Sequence, residues 1–155
     1  MSPPAGPDPT RGLPDTDAGG KPPRVLFVCV KNGGKSQMAA GLMNLRGRGA
    51  VEARSAGTSP GRAINQLSAQ SLAEVGVDIT AEVPKPVTAA AIHEADLIVT
   101  LGREAHVDTG DTPWENWDTD EPSERGIDGM ERMRLVRDDV DARVQDLLTR
   151  LLRTR

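Results

Sequence analysis

The chain has 155 residues, of which 37% are hydrophobic and 27% charged, and its formal net charge is −4. This length suits one well-packed domain, and the negative charge argues against nucleic acid or an anionic membrane surface as a partner. No apolar run is long enough for a transmembrane helix, no signal peptide is recognisable, and a single cysteine suits a reducing compartment, so we expect a cytoplasmic protein.

The first 23 residues hold seven of the twelve prolines of the sequence, together with several glycines. Such a segment cannot bury enough apolar surface to offset the entropy lost on ordering it. We predict that residues 1–23 form a disordered tail and that residues 24–155 form the folded domain.

An apolar run at residues 25–28 leads to Cys29, the only cysteine, and a loop with two glycines separates it from a helical pattern. A strand entering such a loop aims backbone N–H groups and a helix N-terminus at an anion, and the same field favours a thiolate. Asn32 and the glycines tolerate the left-handed backbone that such a loop needs. We therefore predict catalytic roles for Cys29, Lys35 and Ser36. The predicted oxyanion-binding residues are Val30, Lys31, Asn32, Gly33, Gly34 and Lys35.

Strands and helices alternate along residues 24–152, which predicts a four-stranded parallel sheet flanked by helices, an α/β fold. The predicted strands cover residues 24–29, 50–55, 96–101 and 115–118. The predicted helices cover residues 35–46, 65–75, 88–94 with Thr88 as the cap, and 128–152. Met38, Leu42 and Leu45 mark the buried face of the first helix, and seven apolar residues at helical spacing mark that of the last.

The segment Cys-Val-Lys-Asn-Gly-Gly-Lys-Ser-Gln-Met-Ala, from Cys29 to Ala39, resembles the phosphate-binding loop of low-molecular-weight tyrosine phosphatases and of arsenate reductases with the same fold. Blocks at 55–58, 65–76 and 96–101 follow in the same order as in these families. The resemblance implies their flavodoxin-like fold. Those loops read Cys-x5-Arg-Ser, whereas Lys35 is a point charge that cannot hold an oxyanion bidentately. The Asn-Gly-Gly-Lys form is similar to the arsenate:mycothiol transferases of actinobacteria.

The resemblance also implies a general acid, which in these families is the Asp of an Asp-Pro pair. Here Glu121 precedes Pro122, and Asp120 stands one position earlier. Either carboxylic acid could protonate a departing oxygen, and we favour Glu121. The alternative is that this acidic cluster is a solvated turn. Trp114 and Trp117 are predicted to pack under the acid loop.

Arsenate reductases that use thioredoxin carry two more cysteines after the third strand, but residues 102–109 contain none. Without a second sulfur this sequence cannot form an intramolecular disulfide, so an external thiol must release Cys29. The resemblance implies arsenate detoxification with mycothiol as co-substrate and mycoredoxin acting downstream, without a bound cofactor. His93 and His106 have no spacing typical of a metal site. A phosphatase and a non-catalytic oxyanion-binding protein remain the alternatives.

Overall fold

The computed structural model describes residues 21–153, so residues 1–20 of the predicted tail lie outside the described residues. Within this range the chain forms the strands β1 (Arg24–Cys29), β2 (Glu52–Gly57), β3 (Leu97–Leu101) and β4 (Trp114–Trp117). The helices are α1 (Lys35–Gly47), α2 (Gln66–Ala73), α3 (Ala89–Glu94) and α4 (Gly129–Leu152), with one 3-10 turn at Pro122–Arg125. The bounds of the four strands and four helices each fall within two residues of the prediction, whereas the 3-10 turn was not predicted.

The strands form a parallel sheet in the order β2-β1-β3-β4, which confirms the predicted four-stranded sheet flanked by helices. Cys29 at the end of β1 pairs in register with Gly57 at the end of β2, while Val28 pairs with Thr100 of β3. The carboxyl ends of all four strands therefore lie at one edge, where open parallel sheets bind their ligands.

Side chains of β1 alternate between two cores. Val25 and Phe27 belong to the larger core with α1, α2 and α4, and Leu26 and Val28 belong to a smaller core that α3 covers. Burying side chains of this size contributes about 1.5–3 kcal/mol each. The predicted apolar stripe of α4 is buried throughout and consists of Met133, Val136, Val140, Val144, Leu147, Leu148 and Leu151. None of the helices in residues 21–153 is long and apolar enough to cross a membrane.

Two predicted apolar contacts are wrong. Leu45 is 39% exposed although about 100° per residue places it within about 20° of the buried Met38. It stands in the last turn of α1, where Asn44 and Arg46 are exposed as well. Trp114 is 59% exposed, whereas Trp117 is buried and its ring centroid lies 5.5 Å from that of Phe27. The two tryptophans are three residues apart in β4, so they point to opposite faces of the sheet.

Candidate active site

The loop between Cys29 and α1 is held from outside through its carbonyl groups. In the described part of the chain the amides of Lys31, Gly33 and Gly34 donate to no backbone carbonyl. Four carbonyls, from Cys29 and the loop, accept from amides of the segment that follows β2 at 2.8–3.0 Å. The pairs are Thr58 to Cys29, Ser59 to Val30, Gly61 to Lys31 and Asn65 to Gly33. This arrangement leaves loop N–H groups available for an anion.

Two backbone features allow the loop to close. Asn32 adopts the left-handed conformation with φ 54°, as its residue type predicts, and its side chain is fully buried. A Cβ atom on Gly57 would lie 2.7 Å from the carbonyl oxygen of Val30 and 2.9 Å from Cβ of Asn32. A side chain at this end of β2 would therefore push the loop away from Cys29.

A chain of hydrogen bonds ends on the sulfur of Cys29. The amide of Lys85 can only donate, and it donates to Oδ1 of Asn32 at 2.9 Å, which orients Nδ2 toward Oγ of Ser36 at 2.7 Å. Since Oγ of Ser36 accepts this bond, its proton is available for Sγ of Cys29, 2.9 Å away. The amide of Asn32 also donates to Sγ, at 3.3 Å. Two donors on one sulfur suit a thiolate.

Glu121 bridges two cations beside this loop. Its Oε1 lies 2.5 Å from Nζ of Lys35, and its Oε2 accepts from Nη2 of Arg132 at 3.1 Å and from Oγ of Ser123 at 3.2 Å. Partial burial raises the pKa of Glu121, but the hydrogen bonds from Lys35 and Arg132 outweigh it and leave that pKa below its ordinary value. With these partners Glu121 is therefore a carboxylate at neutral pH.

Asp120, the second candidate acid, is paired with Arg125. Its carboxylate accepts from the guanidinium of Arg125 at 2.8 and 3.1 Å, which holds its pKa below the ordinary value. Its amide donates to Oδ2 of Asp139 at 2.8 Å. Of the two candidates, Glu121 shares a cavity with Cys29.

That cavity has a volume of about 420 Å³ at the carboxyl edge of the sheet. The predicted residues that line it are Cys29, Val30, Lys35 and Glu121. Lys31, Gly33, Gly34 and Lys35 line a neighbouring cavity, while Asn32 and Ser36 are buried beneath the loop.

Sequence reasoning missed several polar residues that line the Cys29 cavity. They are Arg103, Glu104, Asp118, Thr119 and Glu124. Arg103 holds Asp118 through Nε and Nη2 at 3.1–3.2 Å. Residues 103–104 follow the end of β3 and residues 118–119 follow the end of β4. Because ligands bind at the carboxyl ends of parallel strands, these four residues could have been predicted from the sequence. Arg132 lies inside α4 and carries no such local signal.

Residues 24–155 match the model of a family described as low molecular weight phosphotyrosine protein phosphatase. The chain belongs to this family. The chain is also similar to a protein from Synechocystis sp. named glutaredoxin arsenate reductase. The two are 26% identical over 132 residues, which are 83% of this chain and 98% of that protein.

Two solved structures are also similar to this chain. A thioredoxin-dependent arsenate reductase from Corynebacterium glutamicum has a TM-score of 0.71 and 28% identity, with 90% of this chain and 66% of that chain covered. This chain thus spans about two thirds of its length. An arsenate reductase in a phosphate-binding state has a TM-score of 0.73 and 27% identity, with 83% of this chain and 98% of that chain covered.

Proposed function

We propose that this chain is an arsenate reductase in which Cys29 is the nucleophile and an external thiol, mycothiol, removes the arsenic. The observation that carries the proposal is that Cys29, with two donors on its sulfur, shares one cavity with Lys35 and Glu121. The arsenate reductases at 26–28% identity support the substrate.

In the first step arsenate binds against the loop amides and the ammonium of Lys35. The thiolate of Cys29 attacks arsenic, a sulfur–arsenic bond forms, and one arsenic–oxygen bond breaks with its electron pair leaving on oxygen. Glu121, which takes up a proton from solvent when arsenate displaces it from Lys35, delivers that proton to the leaving oxygen, and arsenic stays in the +5 state. Arsenate competes with Glu121 for Lys35, and losing one of its two cations raises the proton affinity of this carboxylate. Substrate binding therefore prepares Glu121 to act as an acid.

In the second step the thiolate of mycothiol attacks arsenic and the bond to Sγ of Cys29 breaks, which restores the enzyme. The product is an arseno-mycothiol adduct. Mycoredoxin then supplies a thiol that attacks the mycothiol sulfur, so that a mixed disulfide forms and arsenic leaves as arsenite with two more electrons. This sequence contains one cysteine, so it cannot form the disulfide within itself. At about 420 Å³ the cavity is in the range of small-molecule sites, about 300–1,000 Å³, with room for a thiol beside the oxyanion.

The first alternative, a phosphatase of phosphotyrosine, has less support from the cavity. Its lining includes no aromatic side chain among the described residues, so a phenyl ring has no ring to stack on. Lys35 also lacks the two parallel donors with which a guanidinium holds a phosphoryl group.

The deciding measurement is arsenate-dependent NADPH consumption by the purified chain. One assay contains mycothiol, mycoredoxin and mycothione reductase, and the other contains thioredoxin and thioredoxin reductase. We expect turnover only in the first, and none with Cys29→Ser in either. Turnover only with thioredoxin would contradict the thiol proposal, and turnover with neither, together with hydrolysis of an aryl phosphate, would favour the phosphatase.

A further inference from the structure

The acid loop, residues 118–121, lies between β4 and the 3-10 turn and ends at Glu121. The amide of Asp120 donates to Oδ2 of Asp139, in helix α4, at 2.8 Å. Hydrogen bonds from an N–H group to a carboxylate are roughly twice as strong as those between neutral groups. Because Asp120 directly precedes Glu121, this bond fixes the backbone from which the Glu121 side chain projects.

Arg143 provides a second anchor, one turn further along α4. Its Nη2 donates to the carbonyl of Asp118 at 3.0 Å, and its Nε lies 3.3 Å from both carboxylate oxygens of Asp139. The side chains of Asp139 and Arg143 are 26% and 36% exposed, so water competes less for these contacts than at a fully exposed ion pair. We call Asp139 and Arg143 the α4 clamp, since together they hold the acid loop on both sides of residue 119.

The α4 clamp shares one helix face with Arg132. Asp139 and Arg143 follow Arg132 by 7 and 11 residues, and at about 100° per residue both return to within about 20° of its direction. Nη2 of Arg132 donates to Oε2 of Glu121 at 3.1 Å. One face of α4 therefore holds both the backbone of the acid loop and the carboxylate that the loop carries.

We propose that Asp139 and Arg143 are positioning residues for the general acid, because they hold the acid loop so that the carboxyl group of Glu121 stays at the Cys29 cavity, which it lines. The inference rests on the proposed role of Glu121 as the acid. When arsenate takes Lys35, Glu121 loses one of its two cationic contacts. The bonds of the α4 clamp go to the loop backbone, so they persist at this step and keep the carboxyl group beside the leaving oxygen.

A double-mutant cycle tests this role in the full chain. The substrate is arsenate in the coupled assay, or para-nitrophenyl phosphate if the parent chain hydrolyses it. Since a misplacement of about 1 Å costs up to about 10²-fold in rate, Asp139→Ala should lower kcat by about tenfold or more. In the Glu121→Gln background the same change should cost less than about twofold, because the group that it positions is already lost. Arg143→Ala, at the more exposed end of the clamp, should follow the same pattern.

Asp141→Ala is the matched control, because Asp141 also lies on α4 and pairs with an arginine. Its carboxylate accepts from Nε and Nη2 of Arg46, on α1, at 3.0 and 2.6 Å. We expect kcat to change less than about twofold, because that pair holds α1 and not the acid loop. An equal loss of kcat with Asp139→Ala and Asp141→Ala, or an equal loss from Asp139→Ala in both backgrounds, overturns the proposal.

A second readout does not require turnover. The NMR titration midpoint of the Glu121 carboxyl group should move to higher pH in Asp139→Ala, because a released loop weakens the contacts of Glu121 with Lys35 and Arg132. Removing the negative charge of Asp139 would by itself move the midpoint to lower pH, so a rise reports release of the loop. The other groups near Glu121 are the hydroxyl of Ser123 and the charged residues that line the cavity, Arg103, Glu104, Asp118 and Glu124.

The two readouts separate the clamp from the proposed function. A parent chain that turns over neither substrate contradicts the proposed function, and the titration then decides on the clamp alone. A higher midpoint in Asp139→Ala, with no rise in Asp141→Ala, supports the clamp. A midpoint that is unchanged or lower in Asp139→Ala overturns it, whether or not arsenate is turned over.

Discussion

The choice between two adjacent carboxylates is the sharpest test of the proposed chemistry. Glu121→Gln keeps the size of the side chain but removes the proton that the leaving oxygen requires. General acid catalysis contributes about 10²–10⁴-fold, so we expect kcat for arsenate to fall by this factor, about 3–5 kcal/mol in the barrier. The assay is the mycothiol-coupled NADPH consumption described above.

Asp120→Asn is the matched control, because the same chemical change is made one residue away. Asp120 contacts the exposed guanidinium of Arg125 and does not line the Cys29 cavity. Loss of an exposed ion pair of this kind changes stability by about 0–1 kcal/mol, and we expect kcat to change less than about threefold. If Asp120→Asn abolished turnover while Glu121→Gln retained it, the assignment of the acid from the geometry would be refuted.

Three further predictions concern the loop and the helix surface. Ser36→Ala removes a donor to Sγ of Cys29, and because a hydrogen bond to a charged group contributes about 1.5–3 kcal/mol, kcat should fall by about 10–100-fold; an unchanged kcat would show that the hydroxyl does not assist the thiolate. Lys35→Arg restores a bidentate grip on a tetrahedral anion, so hydrolysis of para-nitrophenyl phosphate should rise about tenfold over the parent chain, and no rise would contradict the role given to the lysine. The hydrogen bonds from Arg134 are the main reason that the pKa of Glu74 is lowered to about 2. Because the pKa of Glu74 is lower in the folded than in the unfolded protein, its ionisation stabilises the fold at pH values above the unfolded pKa, near 4.5. This contribution is lost as the pH falls toward the folded pKa of about 2. Arg134→Ala should therefore lower the midpoint temperature of thermal unfolding at pH 6 but not at pH 2. An equal decrease at both pH values would show that Arg134 stabilises the fold through packing and not through its ion pair with Glu74.

Much of the fold follows from local patterns in the sequence. The apolar run before Cys29, the glycines after it and the helical spacing of α4 each depend on neighbours within a few residues. Alternation of such strands and helices leaves a parallel sheet as the favoured arrangement, because each apolar face must be covered. The left-handed backbone at Asn32 is likewise a local consequence, since asparagine tolerates positive φ.

Side-chain partners across the molecule were decided by the tertiary structure alone. Nothing in the order Asp120–Glu121 tells which carboxylate contacts Lys35. In the structure Asp120 pairs with Arg125 of the 3-10 turn, whereas Glu121 contacts both Lys35 and Arg132 of α4. The donor that orients Asn32 is the amide of Lys85, 53 residues away.

The neighbouring cavity lined by Lys31, Gly33 and Gly34 also depends on contacts between distant segments. Arg62 and Arg132 are 70 positions apart, and they line one cavity because the segment after β2 and helix α4 both pack beside the loop. Local propensity determines which segments become strands and helices. The long-range partners of the site, such as Arg132 beside Glu121 and Lys85 beside Asn32, are set by contacts between distant segments, which local propensity does not encode.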